Sequence, residues 1–387
     1  MNADLTTVDS ILTNAIATFC PAAQLEVRRH GETLFSRAYG WLDPTTHTQP
    51  TQSTTRFDLA SVTKLFVVTT FMTLVEANHV AVDQPVHTVL PEFAGSRPLQ
   101  PYEHPLQSGA WVNVVNEPGE VDASQVTFRH LLTHTSGLPA WRPLFRQTDA
   151  AAALQMARHT FFSYPIGTHV VYSDIGLILL GLAMERFTGQ PLVDLVRQRV
   201  IAPLGLQHTG YLPVGDPEAD KNNVAPTEFC QWRQQRITGE VHDENAASLG
   251  GVSGHAGLFS TASDVATFGQ LFLNEGEPIL YPETIAAMTR LQAQEGDLRR
   301  GLGFALWSPD PEASGNPFSQ RAFGHTGFTG TSLWIDPDRE LVVALLTNDV
   351  YHGRADRQIM PLRVAVHRAV VEAVARAADL GNADRLV

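Results

Sequence analysis

Apolar side chains recur at helical spacing in some parts of this chain and at alternate positions in others, and the switches between the two mark its elements. The opening segment MNADLTTVDSILTNAIATF spaces its apolar residues along one face of an amphipathic helix. Residues 23–29 and 33–39 are extended runs on either side of His30-Gly31-Glu32, the pattern of a β-hairpin. Over 58–78 the chain is apolar around nearly its whole helical circumference after Lys64, which predicts a helix buried on most sides. Helical stretches follow at 128–133, 150–159, 175–188, 191–200 and 262–274, joined by Pro- and Gly-rich connections. Late in the chain, 331–335 and 341–347 read as strands joined by a turn at 336–339, and 359–377 as an amphipathic helix. Strands at both ends around a helical middle predict one sheet built from both termini. The expected class is α+β: an antiparallel sheet domain flanked by helices (residues 1–75 and 290–387) with a mostly helical inserted domain (76–289) whose loops line a cleft.

Composition narrows the partners. Of 387 residues, 43% are hydrophobic and 17% charged, ample for a sizeable core. With 40 Asp and Glu against 27 Lys and Arg the formal charge is -13, which repels phosphate backbones, so nucleic acid is not an expected partner. The apolar run 177–183 is far shorter than the roughly 20 residues of a membrane-spanning helix, and no membrane segment is expected. The N-terminal stretch lacks the early basic cluster of a signal peptide, and Cys20 and Cys230 sit in unrelated contexts. Both features predict a cytoplasmic, reducing location.

Three clusters carry candidate chemistry. Ser61 and Lys64 stand three apart at a helix start, on neighbouring azimuths where their side chains can meet. A serine hydroxyl is a poor nucleophile until something takes its proton, and a lysine in apolar surroundings has a lowered pKa suited to that task. The helix start also offers N–H groups to an oxyanion. The structural alternative is a serine cap and a surface lysine; the almost wholly apolar helix behind Lys64 weighs against it. Tyr172-Ser173-Asp174 precedes the helix expected from Ile175, with Asp174 as a plain N-cap and Tyr172 as a core aromatic for alternative. Gly324-His325-Thr326-Gly327-Phe328-Thr329-Gly330 stands ahead of a strand, where glycines let a ligand approach the edge and use its amides; a simple bend is the alternative.

Other segments compete less well. His130 and His134 have the i, i+4 spacing of a zinc pair but lack the adjacent Glu, and a third ligand would have to come from His242, Asp243 or His255; no metal is expected. The polar run 241–246 places His242 and Asn245 in a loop, where they touch substrate or merely bond one another. G-x-S-x-G, G-x-x-x-x-G-K-[ST] and H-E-x-x-H do not occur, which removes the main support for α/β-hydrolase, P-loop and zincin readings.

Taken in order, S-x-x-K, then Y-x-[N or D], then [K or H]-T-G, the chain resembles the serine β-lactamase and penicillin-binding protein superfamily, in its class C-like esterase and DD-peptidase branch. The likeness runs through FDLASVTKLF, VTFRHLLTHTSGLP, YSDIGLILLG and FGHTGFTGTSLWIDP. It implies a β-lactamase/transpeptidase-like fold, Ser61 as nucleophile, Lys64 as its partner, and Tyr172 shuttling protons with Lys64. The backbone N–H groups of Ser61 and Phe328 would form the oxyanion hole, and Asp174, His325, Thr326 and Gly327 would border the substrate. His242 and Asn245 are further candidate contacts, and no cofactor is implied. Two departures stand out: His325 replaces the usual Lys, and Asp174 the usual Asn. Histidine is mostly neutral above about pH 6.5, and Asp174 adds a negative charge. The cleft is therefore expected to favour neutral esters or amides over β-lactams. The expected activity is serine hydrolysis through an acyl-enzyme on a small ester, amide or short peptide. The alternatives are a penicillin-binding DD-peptidase or weak β-lactamase, and a non-catalytic binding protein with an inherited cleft.

Overall fold

The computed structural model describes residues 3–107, 109–112, 119–216 and 221–383. Helix α1 (Thr6–Thr18) buries Val8, Leu12 and Ala15 along one face and leads into the hairpin β1 (Ala22–Arg29) and β2 (Glu32–Gly40). Its tip uses positive φ at His30 and Gly31, as a tight turn requires. Helices α2 (Thr63–Glu76), α3 (Asp174–Thr188) and α4 (Ala262–Leu273) follow. The chain then forms β3 (Ala293–Glu295), β4 (Leu298–Arg300), β5 (Ala305–Leu306), β6 (Phe323–Thr326), β7 (Ser332–Asp336) and β8 (Leu341–Thr347), and ends in α5 (Ile359–Ala383).

These strands make one eight-stranded sheet in the order β3-β4-β5-β6-β7-β8-β1-β2, each neighbouring pair antiparallel. The two ends of the chain meet in the register Ala23↔Thr347 to Arg29↔Leu341. Every residue of β8 is buried because the sheet is covered on both faces. Leu341, Val343 and Leu345 face the layer of α1 and α5, while Val342, Ala344 and Leu346 face the layer containing α2 and α4. Each Val or Leu among them contributes about 1.5–3 kcal/mol when fully removed from water. Strands β3 to β5 span only two or three residues each, too few for an alternating pattern to stand out in the sequence.

Helix α2 runs through the centre, buried from Thr63 to Leu74, with Phe66 stacked on Phe268 of α4 at 3.9 Å between ring centroids. Helix α4 lies in the span read as helical insertion, yet it packs directly on β7, β8 and β1. Gly269 permits this, because a Cβ there would stand 2.7 Å from Val342 Cγ1 and 2.9 Å from Leu333 Cδ1. Among the described residues no helix is long and apolar enough to cross a membrane. The start of α2, the start of α3 and the end of β6 converge, and their meeting point holds the candidate site.

Candidate active site

Ser61 sits in a 3-10 turn, Ala60–Val62, that runs straight into α2. The preceding Ala60 is held at φ +46°, a left-handed conformation that costs an alanine about 1–2 kcal/mol. Asp58 sustains it: Oδ1 accepts the Ala60 N–H at 2.8 Å, and Oδ2 accepts the His242 N–H at 2.6 Å. This carboxyl is buried, and burial pushes its pKa up to about 6 despite both bonds. Asp58 thus ties the Ser61 turn to the polar loop at 241–246.

Lys64 Nζ donates to Ser61 Oγ at 2.8 Å and to the His255 carbonyl at 2.9 Å, and lies 2.7 Å from Asp174 Oδ1. The last contact is an ion pair by distance, off the axis of a hydrogen bond. Asp174 is free for it because Ser173, not Asp174, caps α3 through its Oγ. The lysine is 1% exposed. Burial alone lowers its pKa, but Asp174 and then Tyr172 outweigh burial, and the net shift is upward from 10.5. The expectation of a lowered lysine pKa is therefore corrected: a carboxylate from a distant part of the chain keeps the amine protonated.

Tyr172 is enclosed by rings and cations. His134 stands 4.6 Å and His325 5.7 Å from its ring centroid, with Lys64 Nζ at 4.9 Å and the Arg300 guanidinium at 5.5 Å. Burial raises the phenol's pKa while Lys64 opposes it. The hydroxyl interacts with both Lys64 and Ser61 but is aligned with neither, leaving it without a hydrogen bond.

Beside the Tyr172 ring, His325 Nδ1 pairs with the Thr326 carbonyl at 2.8 Å and Nε2 has no partner. Burial first, then Arg300 and Lys64, push its pKa down to about 3, so the ring is neutral at ordinary pH. Thr326, Gly327 and Phe328 line the same cavity of about 630 Å³ as Ser61, Tyr172 and Asp174. A Cβ at Gly327 would collide with Thr331 Oγ1 and the Leu59 carbonyl. His242 also lines the cavity, its ring stacked on Phe328 at 5.5 Å and its pKa pushed down to about 3 by burial and then Arg354. Asn245 does not reach the cleft: Oδ1 accepts the Phe145 N–H at 3.1 Å and Nδ2 donates to the Arg142 carbonyl at 2.9 Å, so it ties two loops together. His130 and His134 diverge, the first accepting the Thr127 N–H at a helix cap and the second the Ser173 N–H beside Tyr172, both at 3.1 Å. Among the described residues no three His, Cys, Asp or Glu are grouped to hold a metal.

A family model described as Beta-lactamase matches residues 8–366. The chain belongs to the β-lactamase family. A relative named N-acetylmuramyl-L-alanine amidase, from Bacillus subtilis (strain 168), is 32% identical over 378 residues, covering 88% of this chain and 80% of its own. Among solved structures, the fold is shared with EstCE1, described as a hydrolase with promiscuous acyltransferase activity, at TM-score 0.70 and 23% identity, covering 94% of this chain and 98% of that one. It is likewise shared with a penicillin-binding protein homologue from Caulobacter crescentus, at TM-score 0.72 and 21% identity, covering 95% and 97%. This β-lactamase-family chain is thus a serine hydrolase of α+β, β-lactamase/transpeptidase-like fold.

Two features of this β-lactamase-family site escaped the sequence reading. Arg300, at the end of β4, lines the cavity with Nε unpartnered, and burial lowers its pKa while leaving it a cation at ordinary pH. The cleft therefore carries the positive charge that His325 does not, against the expectation of an anion-averse site. No pattern marked it, because β4 is only three residues long. The second is a chain of bonds behind Lys64: Ser253 Oγ to His255 Nδ1 at 2.8 Å, and His255 Nε2 to Asp243 Oδ1 at 2.9 Å. Asp243 and His255, weighed above only as metal ligands, here fix the residue whose carbonyl holds the Lys64 amine.

Proposed function

We propose that this serine hydrolase cleaves small amides or esters through an acyl-enzyme on Ser61, with a carboxylate near the scissile bond as its preferred feature. The observation that carries the reading is the 2.8 Å bond from the buried Lys64 Nζ to Ser61 Oγ, with the half-buried Tyr172 and Asp174 beside it. Ser61 Oγ attacks the carbonyl carbon while the N–H groups of Ser61 and Phe328 receive the developing oxyanion. Lys64 begins as an ammonium, so it polarises Ser61 rather than collecting its proton unaided. Tyr172, flanked by two cations, passes a proton to the leaving group as it accepts that of Ser61. Water then attacks the ester, and the same relay returns the proton to Ser61.

Arg300 supports the preference for a carboxylate, since a half-buried guanidinium facing a cleft with an unpartnered Nε is best matched by an anion from the substrate. Thr326 and Gly327 border the same anion or the adjoining amide. This favours a short peptide with a free carboxylate, the DD-peptidase alternative, over an uncharged ester, and the amidase name of the Bacillus relative agrees with cleavage of an amide. Two free, buried cysteines fit a reducing, cytoplasmic setting.

Labelling by a fluorophosphonate probe tests the reading: wild type labels and Ser61→Ala does not, and the variant loses up to roughly 10⁶ in kcat. Absence of labelling under every condition would return the protein to a binding role.

A further inference from the structure

The turn at 327–331 is fastened from two sides. Toward α2, Thr331 Oγ1 donates to the Leu59 carbonyl at 2.8 Å and Thr329 Oγ1 to the Asp58 carbonyl at 2.6 Å. These bonds join the turn that carries Phe328 to the segment that delivers Ser61. From the other side, one nitrogen of α5, Arg363 Nη2, donates to both the Gly327 carbonyl at 2.8 Å and the Thr331 carbonyl at 2.7 Å. Those carbonyls are the two ends of the turn, which closes on itself through Gly327 N–H to Thr331 O at 2.7 Å.

Arg363 is an expensive residue to place there. It is 3% exposed, its Nε has no partner, and its remaining contact is Nη1 to Met360 Sδ at 3.4 Å. Burial, reinforced by Arg357, lowers its pKa to about 9. A buried cation is costly unless a carboxylate pairs with it; Asp349 acts on Arg363 through space but is paired with Arg357 at 2.6 Å, and the donors of Arg363 are spent on backbone that an apolar side chain would leave free. That cost has an explanation if the exact height of the turn matters.

We propose that Arg363 and Thr331 are positioning residues that together set the separation between the N–H groups of Ser61 and Phe328. The proposal rests on the oxyanion reading given above. Oxyanion donors act at about 2.7–3.1 Å from the developing charge, and a misplacement of about 1 Å costs on the order of 10²-fold in rate. Thr331 sets the turn against the Ser61 segment, and Arg363 keeps it from collapsing or lifting on the side of α5.

The test compares the full-length wild type with Arg363→Gln, Arg363→Lys, Thr331→Val and Ser61→Ala. Three quantities are read: kcat and KM for a p-nitrophenyl ester, the affinity of phenylboronic acid, and thermal melting. The boron accepts the Ser61 Oγ lone pair, the hydroxyl proton leaves to solvent, and the resulting tetrahedral anion places an oxygen between the two amides. R363Q is expected to lower kcat about 30- to 100-fold with KM within about threefold, and boronate affinity falls by the same factor as kcat/KM. R363K is intermediate, because an ammonium reaches one carbonyl more readily than two. T331V is expected to lose about tenfold in both readouts. A folded R363Q or T331V with wild-type kcat, or one that loses kcat while binding boronate as before, overturns the proposal. If R363Q does not fold, T331V decides the matter, since it removes a single hydroxyl. Retained ester hydrolysis by S61A would instead defeat the nucleophile reading, whatever Arg363 does.

Discussion

Lys64 Nζ stands 2.7 Å from Asp174 Oδ1 while donating to Ser61 Oγ at 2.8 Å, so one amine is shared between the candidate nucleophile and a carboxylate. The carboxylate decides how the amine behaves. Burial is the largest influence on Lys64 and acts to lower its pKa; Asp174 is the strongest of those that reverse it.

Asp174→Asn removes the charge and leaves burial in command. The folded-state pKa of Lys64 then falls, and less of the amine is protonated at any given pH. Because the ammonium is the form that polarises Ser61, activity is lost as pH rises through the Lys64 pKa, so the alkaline pH at which kcat/KM falls to half its plateau is expected to move down, as read from a pH–rate profile on a neutral ester. An unmoved profile would mean that Asp174 has no electrostatic hold on the relay. His325 and His242 do not confuse this measurement, because burial pushes both down to about 3 and both stay neutral across the range used.

Tyr172→Phe separates chemistry from stability. The hydroxyl is buried without an aligned partner, so deleting it removes an unsatisfied polar group and leaves stability within about 1 kcal/mol of wild type. The relay, by contrast, loses its middle member, and kcat is expected to fall about 10²- to 10⁴-fold. Thermal melting and steady-state kinetics on the same preparation check both halves. A variant that melts much earlier would assign Tyr172 a packing role.

Arg300→Leu asks what the cleft recognises. A charge-assisted hydrogen bond contributes about 1.5–3 kcal/mol, so kcat/KM for a short peptide with a free carboxylate is expected to fall roughly 10- to 100-fold. Hydrolysis of an uncharged ester should change by less than about threefold on the same reasoning. Equal losses on the two substrates would place the effect of Arg300 on the Tyr172 ring, 5.5 Å away, rather than on the substrate.

Much of the fold was legible because its elements announce themselves over short spans. The β1–β2 hairpin, the buried α2, and the β7–β8 pair around 336–339 each rest on periodicity and turn chemistry within one or two dozen residues. Strands β3 to β5 were not legible, since two or three residues cannot display a period. Packing of α4 on the sheet was also hidden, because its permissive Gly269 is meaningful only once Val342 and Leu333 are known to lie beneath it. In the site, Ser61 and Lys64 were legible as a pair one helical turn apart. Asn245 was left with two readings because a polar loop residue serves substrate and scaffold equally well until its partners are seen, and its bonds to Phe145 and Arg142 favour the scaffold.

Local spacing by itself determined that a hydroxyl and an amine share one end of a buried helix, and that both ends of the chain supply strands. Tertiary structure alone decided the charge states that make the pair useful. Coulombic influence depends on separation in space, so the Asp174 carboxylate that keeps Lys64 charged, the Arg300 cation that offsets a neutral His325, and the Arg363 clamp on the turn are invisible until the chain brings them within a few ångströms.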